Sequence, residues 1–186
     1  MLRQLAFGLY GLVALSASLA ADPAAAEVDP ALLTGAMASL ELRPPMAAPT
    51  LGFARADGTE GDLSDYAGSV VVLNFWATWC APCRAEMPSL QALQDSLGPE
   101  GLEVVTIAFG RHNPVAMERF WAAAGITDLP LHLDAGTELA RGLGVAGLPH
   151  SFILDRDGRV IAELVGEADW SAPETLTLLR AVLARE

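Results

Sequence analysis

The feature that most limits the possible folds of this chain is an apolar run that leads directly into a pair of cysteines. Residues 69–76, SVVVLNFW, are almost entirely apolar and rich in β-branched side chains. Such a run is typical of a strand that is buried on both faces. Cys80 and Cys83 come next, and residues 82–97 carry leucines at helical spacing. We therefore expect the cysteines to lie where a buried strand passes into a helix.

The remainder of the chain alternates between strand and helix patterns. In chain order, the sequence predicts a short hairpin turning at Asp57-Gly58, a second buried strand (102–109), a helix beginning at Asn113-Pro114, a short strand (129–134), a short helix (136–144), a hairpin turning at Asp157-Gly158, and a closing helix from Pro173. This order favours an α/β fold, in which a mixed sheet has helices on both of its faces.

The N-terminal residues have the layout of an export signal. Arg3 precedes 17 apolar or small residues (5–21), and small residues follow the run, which is typical of a secretory signal peptide over residues 1–26. The run would span roughly 26 Å as a helix, slightly short of a membrane core, so an uncleaved membrane anchor stays open as the alternative. Residues 27–48 are rich in Ala and Pro and are predicted to form a tether with a short helix over 30–40, leaving 49–186 as the folded domain.

The composition excludes some classes of partner. The net charge is −12, and all 11 basic residues are arginines, which argues against binding to nucleic acid or to anionic lipid. Apolar residues make up 52 % of the chain, enough to form a core without covalent help. A disulfide is therefore not needed for folding.

The cysteine pair has three possible uses. A structural zinc site needs about four ligands, and beyond Cys80 and Cys83 the chain offers only three scattered histidines, at positions 112, 132 and 150. A permanent disulfide across two residues would add little stability, because the entropic gain grows with loop length. A reversible redox pair fits best, since a helix N-terminus favours the thiolate of the first cysteine. Pro82 between the cysteines stiffens the loop and is tolerated in the first helical turn.

Two motifs give the chain a clear family resemblance. FWATWCAPCRAEMP (75–88) and GVAGLPHSFILDRDGRV (144–160) resemble the two signatures of the exported thioredoxin-like thiol:disulfide oxidoreductases of the TlpA/ResA/CcmG group. The resemblance extends from about Pro49 to the C-terminus. It implies a thioredoxin fold, a mixed central sheet flanked by helices, with an N-terminal β-hairpin extension and a central insertion around residues 110–134.

The resemblance also implies roles for individual residues. Cys80 would be the nucleophile toward a partner's disulfide and Cys83 the resolving thiol. Pro149 would follow a cis peptide bond, beside which a client peptide pairs as an added strand. Cytoplasmic thioredoxins usually have a buried Asp where this chain has Asn74, so Glu86 is the candidate to accept the Cys83 proton. A surface position for Glu86 is the alternative.

Further residues are predicted to surround the pair and to contact the client. These substrate-binding candidates are Trp79, Pro82, Leu148 and His150, with Trp76 completing an apolar platform. His150 departs from the family pattern, in which a small residue usually follows the proline. We interpret it as an inert surface histidine, and a cation beside the thiolate or a metal ligand as the alternatives.

The implied function is a periplasmic reductase of exported, disulfide-containing client proteins. Cys80 and Cys83 would hold the electrons themselves, so no bound cofactor is expected, and a membrane electron donor of the DsbD/CcdA type would regenerate the dithiol. The candidate clients are the haem-site cysteines of apocytochrome c and the copper-site cysteines of cytochrome oxidase assembly proteins. The same motif serves both oxidants and reductants, so the direction of electron flow is left open.

Two other functions are alternatives for this chain. A copper chaperone could bind Cu(I) through Cys80 and Cys83, with His150 as a third ligand. A peroxiredoxin shares the fold but needs a Thr shortly before its reactive Cys, in a Pro-x-x-x-Thr-x-x-Cys setting. Thr78 stands only two residues before Cys80, which argues against a peroxidase.

Overall fold

The computed structural model describes residues 28–185, which form one eight-stranded mixed sheet flanked by helices. The predicted signal peptide or anchor (1–26) lies outside these residues. Within the described range the strands are β1 Glu41–Ala47, β2 Phe53–Ala54, β3 Glu60–Gly61, β4 Val70–Trp76, β5 Leu102–Phe109, β6 His132–Asp134, β7 His150–Leu154 and β8 Arg159–Val165. The α-helices of the same range are α1 Ala81–Leu97, α2 Pro114–Ala124, α3 Glu138–Leu143 and α4 Pro173–Leu183.

The sheet is built around the apolar run that the sequence singles out. Its strand order is β1-β8-β7-β4-β5-β6-β2-β3, and all seven residues of β4 are buried. β4 runs parallel to β5 and antiparallel to β7, which places it between these two strands in the middle of the sheet. The predicted thioredoxin fold is confirmed, and the structure has a hairpin of β2 and β3 and, within the predicted insertion around residues 110–134, the helix α2 and the strand β6.

Each face of the sheet has its own apolar core. Alternate residues of β4 divide between them: Val70, Val72 and Trp76 face α1 and α4, whereas Val71, Leu73 and Phe75 face α3 and the region of the β2–β3 hairpin. This division follows from the two-residue period of a strand, in which successive side chains point to opposite faces. The cysteines belong to the first core, which we call the redox face, and the second core is called the far face.

The prediction of a tether over residues 27–48 is wrong for its described part. Strand β1 pairs antiparallel with β8 at the edge of the sheet, and Val28, Met37 and Leu40 are buried in the core of the redox face. The short helix predicted over 30–40 is replaced by two single turns of 3₁₀-helix, Pro30–Leu32 and Gly35–Met37. An edge strand tolerates prolines because one side of it needs no ladder hydrogen bonds, so the Pro-rich composition did not exclude pairing.

The helix boundaries follow the local capping signals. Asn113 caps α2 through its side chain, which accepts a hydrogen bond from the Val115 N–H at 3.0 Å, and Pro114 occupies the first helical position. Among residues 28–185, no helix is long and apolar enough to cross a membrane.

Candidate functional site

The two cysteines lie at the N-terminus of α1 and are joined by a disulfide bond. Cys80 is the N-cap residue of the helix, and its Sγ accepts a hydrogen bond from the Cys83 N–H at 3.3 Å. Cys80 keeps 6 % of its surface exposed, whereas Cys83 is fully buried. An external disulfide can therefore reach Cys80 but not Cys83, which matches the order of attack expected from the motif.

A cis peptide bond between Leu148 and Pro149 precedes β7, as the resemblance implies. The Pro149 carbonyl accepts a hydrogen bond from the Gly166 N–H at 2.9 Å, which ties the start of β7 to the end of β8. Leu148 is half-buried and packs against both cores. This segment therefore lies at the end of the sheet where β4 passes into the cysteine loop.

Glu86 lies one turn beyond Cys83 on α1 and is buried, with 3 % of its surface exposed. Its Oε1 accepts a hydrogen bond from Asn74 Nδ2 at 2.8 Å. Its Oε2 accepts two more, from the Ala168 N–H at 3.2 Å and from Trp170 Nε1 at 3.3 Å. The surface position considered for this residue is excluded by its burial and by these three donors.

The burial of Glu86 changes its acid–base behaviour. Desolvation raises the pKa of the Glu86 carboxyl to about 7, although the hydrogen bonds from Asn74, Ala168 and Trp170 oppose this rise. A carboxyl with such a pKa can both accept and release a proton near neutral pH. Glu86 is therefore suited to exchange a proton with the thiol one turn away.

Asn74 connects Glu86 to strand β7. Its amide nitrogen donates to both Glu86 and the Ser151 hydroxyl, the latter at 2.9 Å. Its carbonyl oxygen, Oδ1, is buried and has no hydrogen-bond partner among residues 28–185. Because an amide does not titrate, the proton chemistry of this buried network falls on the carboxyl of Glu86.

An open cavity of about 680 Å³ adjoins Glu86. It extends between α1 and the segment that follows β8, and its lining consists of Ala36, Ala85, Glu86, Pro88, Ser89, Glu167, Ala168, Asp169 and Ser171. Glu86 thus keeps little of its own surface exposed and yet belongs to the lining of a space that water can enter.

The tryptophans next to the cysteines have different environments. Trp79 is 70 % exposed beside Cys80, and Pro82 is also exposed, so both are available to a client. Trp76 is fully buried and packs against Trp121, with the ring centroids 4.6 Å apart. Trp76 is therefore a core residue, and only Trp79 provides an exposed indole beside the cysteines.

The prediction that His150 is a surface residue is wrong. His150 is 2 % exposed and stacks on Phe152, with the ring centroids 4.4 Å apart. It pairs with Phe75 across the sheet, and both Phe75 and Phe152 belong to the far face. His150 therefore lies on the opposite side of the sheet from the cysteines, and it neither contacts a client at Cys80 nor completes a copper site there.

The environment of His150 favours the neutral form of its imidazole. Burial lowers the pKa of the imidazole and the Arg43 guanidinium adds to this effect, whereas the Glu163 carboxylate, 3.8 Å from Nε2, opposes it. Neither imidazole nitrogen has a hydrogen-bond partner within residues 28–185. Over the same residues no group of three or more His, Cys, Asp or Glu side chains is arranged to hold a metal ion.

Sequence reasoning identified Glu86 and Asn74 but missed three groups that bind them. Ser151, the Ala168 N–H and the Trp170 indole are separated from their partners by 77, 82 and 84 residues. The only available signal was for Ser151, since it stands two residues after Pro149 in a predicted strand. No local pattern distinguishes Trp170 from an ordinary core tryptophan.

Comparison with known proteins supports the same chemistry. A family model described as Redoxin matches residues 44–179. The chain is similar to the thiol-disulfide oxidoreductase ResA of Bacillus thuringiensis subsp. konkukian, with 35 % identity over 120 residues, covering 64 % of this chain and 68 % of ResA. It is similar to the thiol:disulfide interchange protein HelX of Rhodobacter capsulatus, with 35 % identity over 138 residues, covering 74 % of this chain and 73 % of HelX.

The fold is also shared with a solved structure. A Chlorobium tepidum protein described as a thiol:disulfide interchange protein DsbE superposes with a TM-score of 0.68 at 30 % sequence identity. The superposition covers 77 % of this chain and 99 % of that protein.

Proposed function

Since this chain belongs to the Redoxin family and is a thiol:disulfide oxidoreductase, we propose that it works as a reductase of disulfides in exported client proteins. The observation that carries the reductive direction is the carboxyl of Glu86, buried one turn from Cys83. A strong oxidant owes its potential to a stabilised reduced form. A buried acidic group disfavours a second negative charge nearby, so Glu86 does not stabilise a thiolate of the reduced pair. The His150 imidazole does not stabilise it either, because it lies on the far face.

The reaction begins with the reduced protein, in which both cysteines are thiols. The Cys80 thiolate attacks one sulfur of the client disulfide, so that a mixed disulfide forms and the other client sulfur leaves as a thiolate. Cys83 then loses its proton and attacks Cys80 Sγ. The bond between Cys80 and the client breaks, the second client sulfur leaves as a thiolate, and both client thiolates take up protons. Two electrons have passed from the dithiol to the client.

Glu86 serves the second of these attacks. Cys83 is fully buried in an apolar cluster, which disfavours its ionised form. A carboxylate at Glu86 accepts the Cys83 proton, and the adjoining cavity lets the protonated carboxyl return that proton to water. The two sulfurs themselves carry the electrons that pass to the client, so the cycle requires no bound cofactor.

The setting of this cycle follows from the N-terminal sequence. Residues 1–26 have the layout of a secretory signal, which supports a periplasmic protein that is either soluble or anchored by residues 5–21. Its dithiol would be regenerated by a membrane donor of the DsbD/CcdA type. The clients we propose are apocytochrome c, whose haem-site cysteines must be reduced, and the copper-site proteins of cytochrome oxidase assembly.

The reduction potential of the Cys80–Cys83 pair tests the direction of electron flow. The pair is equilibrated against glutathione or dithiothreitol buffers, and the fractions of dithiol and disulfide are measured. We expect a value near that of thioredoxin, about −270 mV. A value near about −120 mV, as in a strong oxidant, would show that the protein withdraws electrons from its clients.

A further inference from the structure

The segment of residues 166–170, which we call the return loop, joins the cis-proline to Glu86. At its start the Gly166 N–H donates to the Pro149 carbonyl at 2.9 Å. At its end the Trp170 N–H donates to Ser89 Oγ at 3.1 Å, and that hydroxyl donates to the Glu86 backbone carbonyl at 2.7 Å. Between these points, the Ala168 N–H and the Trp170 indole both donate to Glu86 Oε2. The loop is therefore held at both ends and presents two donors to the carboxyl.

The Trp170 indole can influence Glu86 without touching a client. Trp170 is fully buried, so its N–H has no access to water and depends on Glu86 Oε2 for its hydrogen bond. A donor of this kind favours the ionised carboxylate over the neutral acid. The indole therefore opposes the desolvation that favours protonated Glu86.

Glu167 acts on the same carboxyl in the opposite sense. It is exposed on the return loop and lines the cavity that adjoins Glu86, and its negative charge disfavours ionisation of Glu86. Asp169 lines the same cavity, but its carboxylate accepts hydrogen bonds from the backbone and hydroxyl of Ser171.

The other groups that face Glu86 carry no positive charge to compete with these effects. Strands β4 and β7 contribute the neutral Asn74 and Ser151, and the disulfide of Cys80 and Cys83 at the N-terminus of α1 carries no charge. On α4, the carboxylate of Glu174 accepts a hydrogen bond from the Ala36 N–H at the cavity wall. Arg84, on α1, places its guanidinium over the Phe120 ring, 5.3 Å from the centroid.

We propose that Trp170 and Glu167 are positioning residues of the redox reaction, which set the protonation of Glu86 from opposite directions. The indole holds the carboxyl in its ionised, proton-accepting form, and the Glu167 charge keeps that form from becoming too stable to accept the Cys83 proton. This inference rests on the proposed function, in which Glu86 accepts the Cys83 proton.

The titration of Glu86 tests the proposal directly. In the oxidised protein neither cysteine titrates, so the carboxyl ¹³C shift of Glu86, assigned by comparison with Glu86→Gln, reports its protonation alone. Trp170→Phe keeps an aromatic ring and removes the N–H, and we expect the midpoint to rise by about one pH unit. Glu167→Gln removes the charge, and we expect the midpoint to fall by roughly a third of a pH unit at low salt.

Salt separates the two effects, and matched variants control for stability. In about 1 M salt the Glu167→Gln difference disappears because exposed charges are screened, whereas the Trp170→Phe difference remains. Trp121→Phe removes an indole that donates to the Leu129 carbonyl, and Glu118→Gln removes an exposed charge on α2. Neither control should move the midpoint. The proposal is overturned for Trp170 if the Glu86 midpoint does not rise in Trp170→Phe, or if Trp121→Phe raises it equally. It is overturned for Glu167 if Glu86 titrates alike in Glu167→Gln and in Glu118→Gln.

The same variants distinguish a failure of this inference from a failure of the proposed function. The pH dependence of client reduction by the reduced protein should move with the Glu86 midpoint, upward for Trp170→Phe and downward for Glu167→Gln. If Glu86→Gln leaves the rate and its pH dependence unchanged, the role of Glu86 fails and the inference fails with it. If Glu86→Gln slows the reaction but neither loop variant moves the pH profile, only the inference is overturned.

Discussion

Ser151 and His150 are neighbours in β7, yet they belong to opposite faces of the sheet and to different chemistry. The Ser151 hydroxyl accepts a hydrogen bond from Asn74, which in turn binds Glu86 and so belongs to the redox face. His150 stacks on Phe152 on the far face, and neither of its nitrogens has a partner in the described residues. Both side chains are buried and polar, but only Ser151 belongs to the hydrogen-bonded network of Glu86. Proximity to Pro149 in sequence is thus a poor guide to proximity to the sulfurs.

The two faces also differ in the surroundings of their buried titratable groups. On the redox face, Glu86 is buried with three donors and an adjoining cavity. On the far face, His132 Nε2 and the Tyr66 hydroxyl share a hydrogen bond of 2.7 Å, and the His132 ring stacks on Phe53. Both faces therefore contain buried titratable groups, and only those of the redox face are placed to serve a reaction.

The largest effect on client reduction is expected from substitution of the two cysteines. Cys80→Ser should reduce client disulfide reduction to the uncatalysed rate, because a serine hydroxyl cannot replace the thiolate in exchange. Cys83→Ser should instead accumulate a mixed disulfide between Cys80 and the client, detectable by mass spectrometry of the intact adduct. A mixed disulfide trapped at Cys83 in a Cys80→Ser protein would reverse the assigned roles.

The pH dependence of stability should distinguish the two faces by sign. Glu86 has its pKa raised to about 7 in the folded protein, so its contribution to stability is complete at pH below 4.5 and is lost as the pH rises through 7. The loss amounts to about 3 kcal/mol between pH 4.5 and pH 8. Chemical denaturation at a series of pH values measures it, and Glu86→Gln should remove this part of the dependence. An unchanged profile in that variant would show that Glu86 is not the responsible group.

His132 should show the opposite dependence. Burial lowers the pKa of His132 to about 4, so its contribution is complete above pH 6.5 and is lost as the pH falls through 4. This loss is again about 3 kcal/mol. His132→Gln should flatten the acid side of the stability profile and leave the alkaline side, assigned to Glu86, as it is. Flattening on both sides would mean that the two faces are not independent.

Loss of the Glu86 carboxyl should also slow the reaction itself. Glu86→Gln cannot accept the Cys83 proton, and general-base catalysis is worth about 100-fold or more, so client reduction at pH 7 should slow by about 100-fold. The control is Glu118→Gln, which makes the same change of side chain at an exposed position of α2. It should retain the rate, as measured by stopped-flow reduction of a disulfide client.

The smallest effect is expected at His150. A buried imidazole without hydrogen bonds costs stability, so His150→Phe should leave the protein as stable or more stable by about 1 kcal/mol. Client reduction should stay within about twofold of the original rate, since the far face does not contact the cysteines. Cu(I) titration of the reduced protein should give the same affinity with and without the substitution. A weaker copper affinity in His150→Phe would restore the copper-chaperone interpretation.

Much of the fold was predictable because its signals are local. The β4 run, the Asn113-Pro114 helix start and the glycine turns at positions 58 and 158 each depend on a few neighbouring residues. β1 was missed for the opposite reason: six of its seven residues are exposed, so no hydrophobic alternation marks it as a strand. Its pairing depends on the free edge of β8, which no local pattern of residues 41–47 encodes.

The candidate site likewise contains residues that a local motif predicts and residues that only the fold brings in. Cys80, Cys83 and Glu86 lie within seven residues of one helix start, so motif and spacing are enough to bring them together. Ser151, Ala168 and Trp170 reach the same site only because β7 pairs with β4 and the return loop folds over α1. The two-residue period of a strand predicts that His150 and Ser151 face opposite ways, but it does not say which of them faces the sulfurs.

The sequence by itself therefore determined the redox chemistry, because a Cys-x-x-Cys at a helix N-terminus carries its nucleophile, its resolving thiol and the dipole that activates them in one short segment. Only the tertiary structure decided how that chemistry is controlled. The burial of Glu86, the donors that surround it and the exclusion of His150 from the redox face all depend on which strands pair and which face each side chain takes, and these are properties of the assembled sheet.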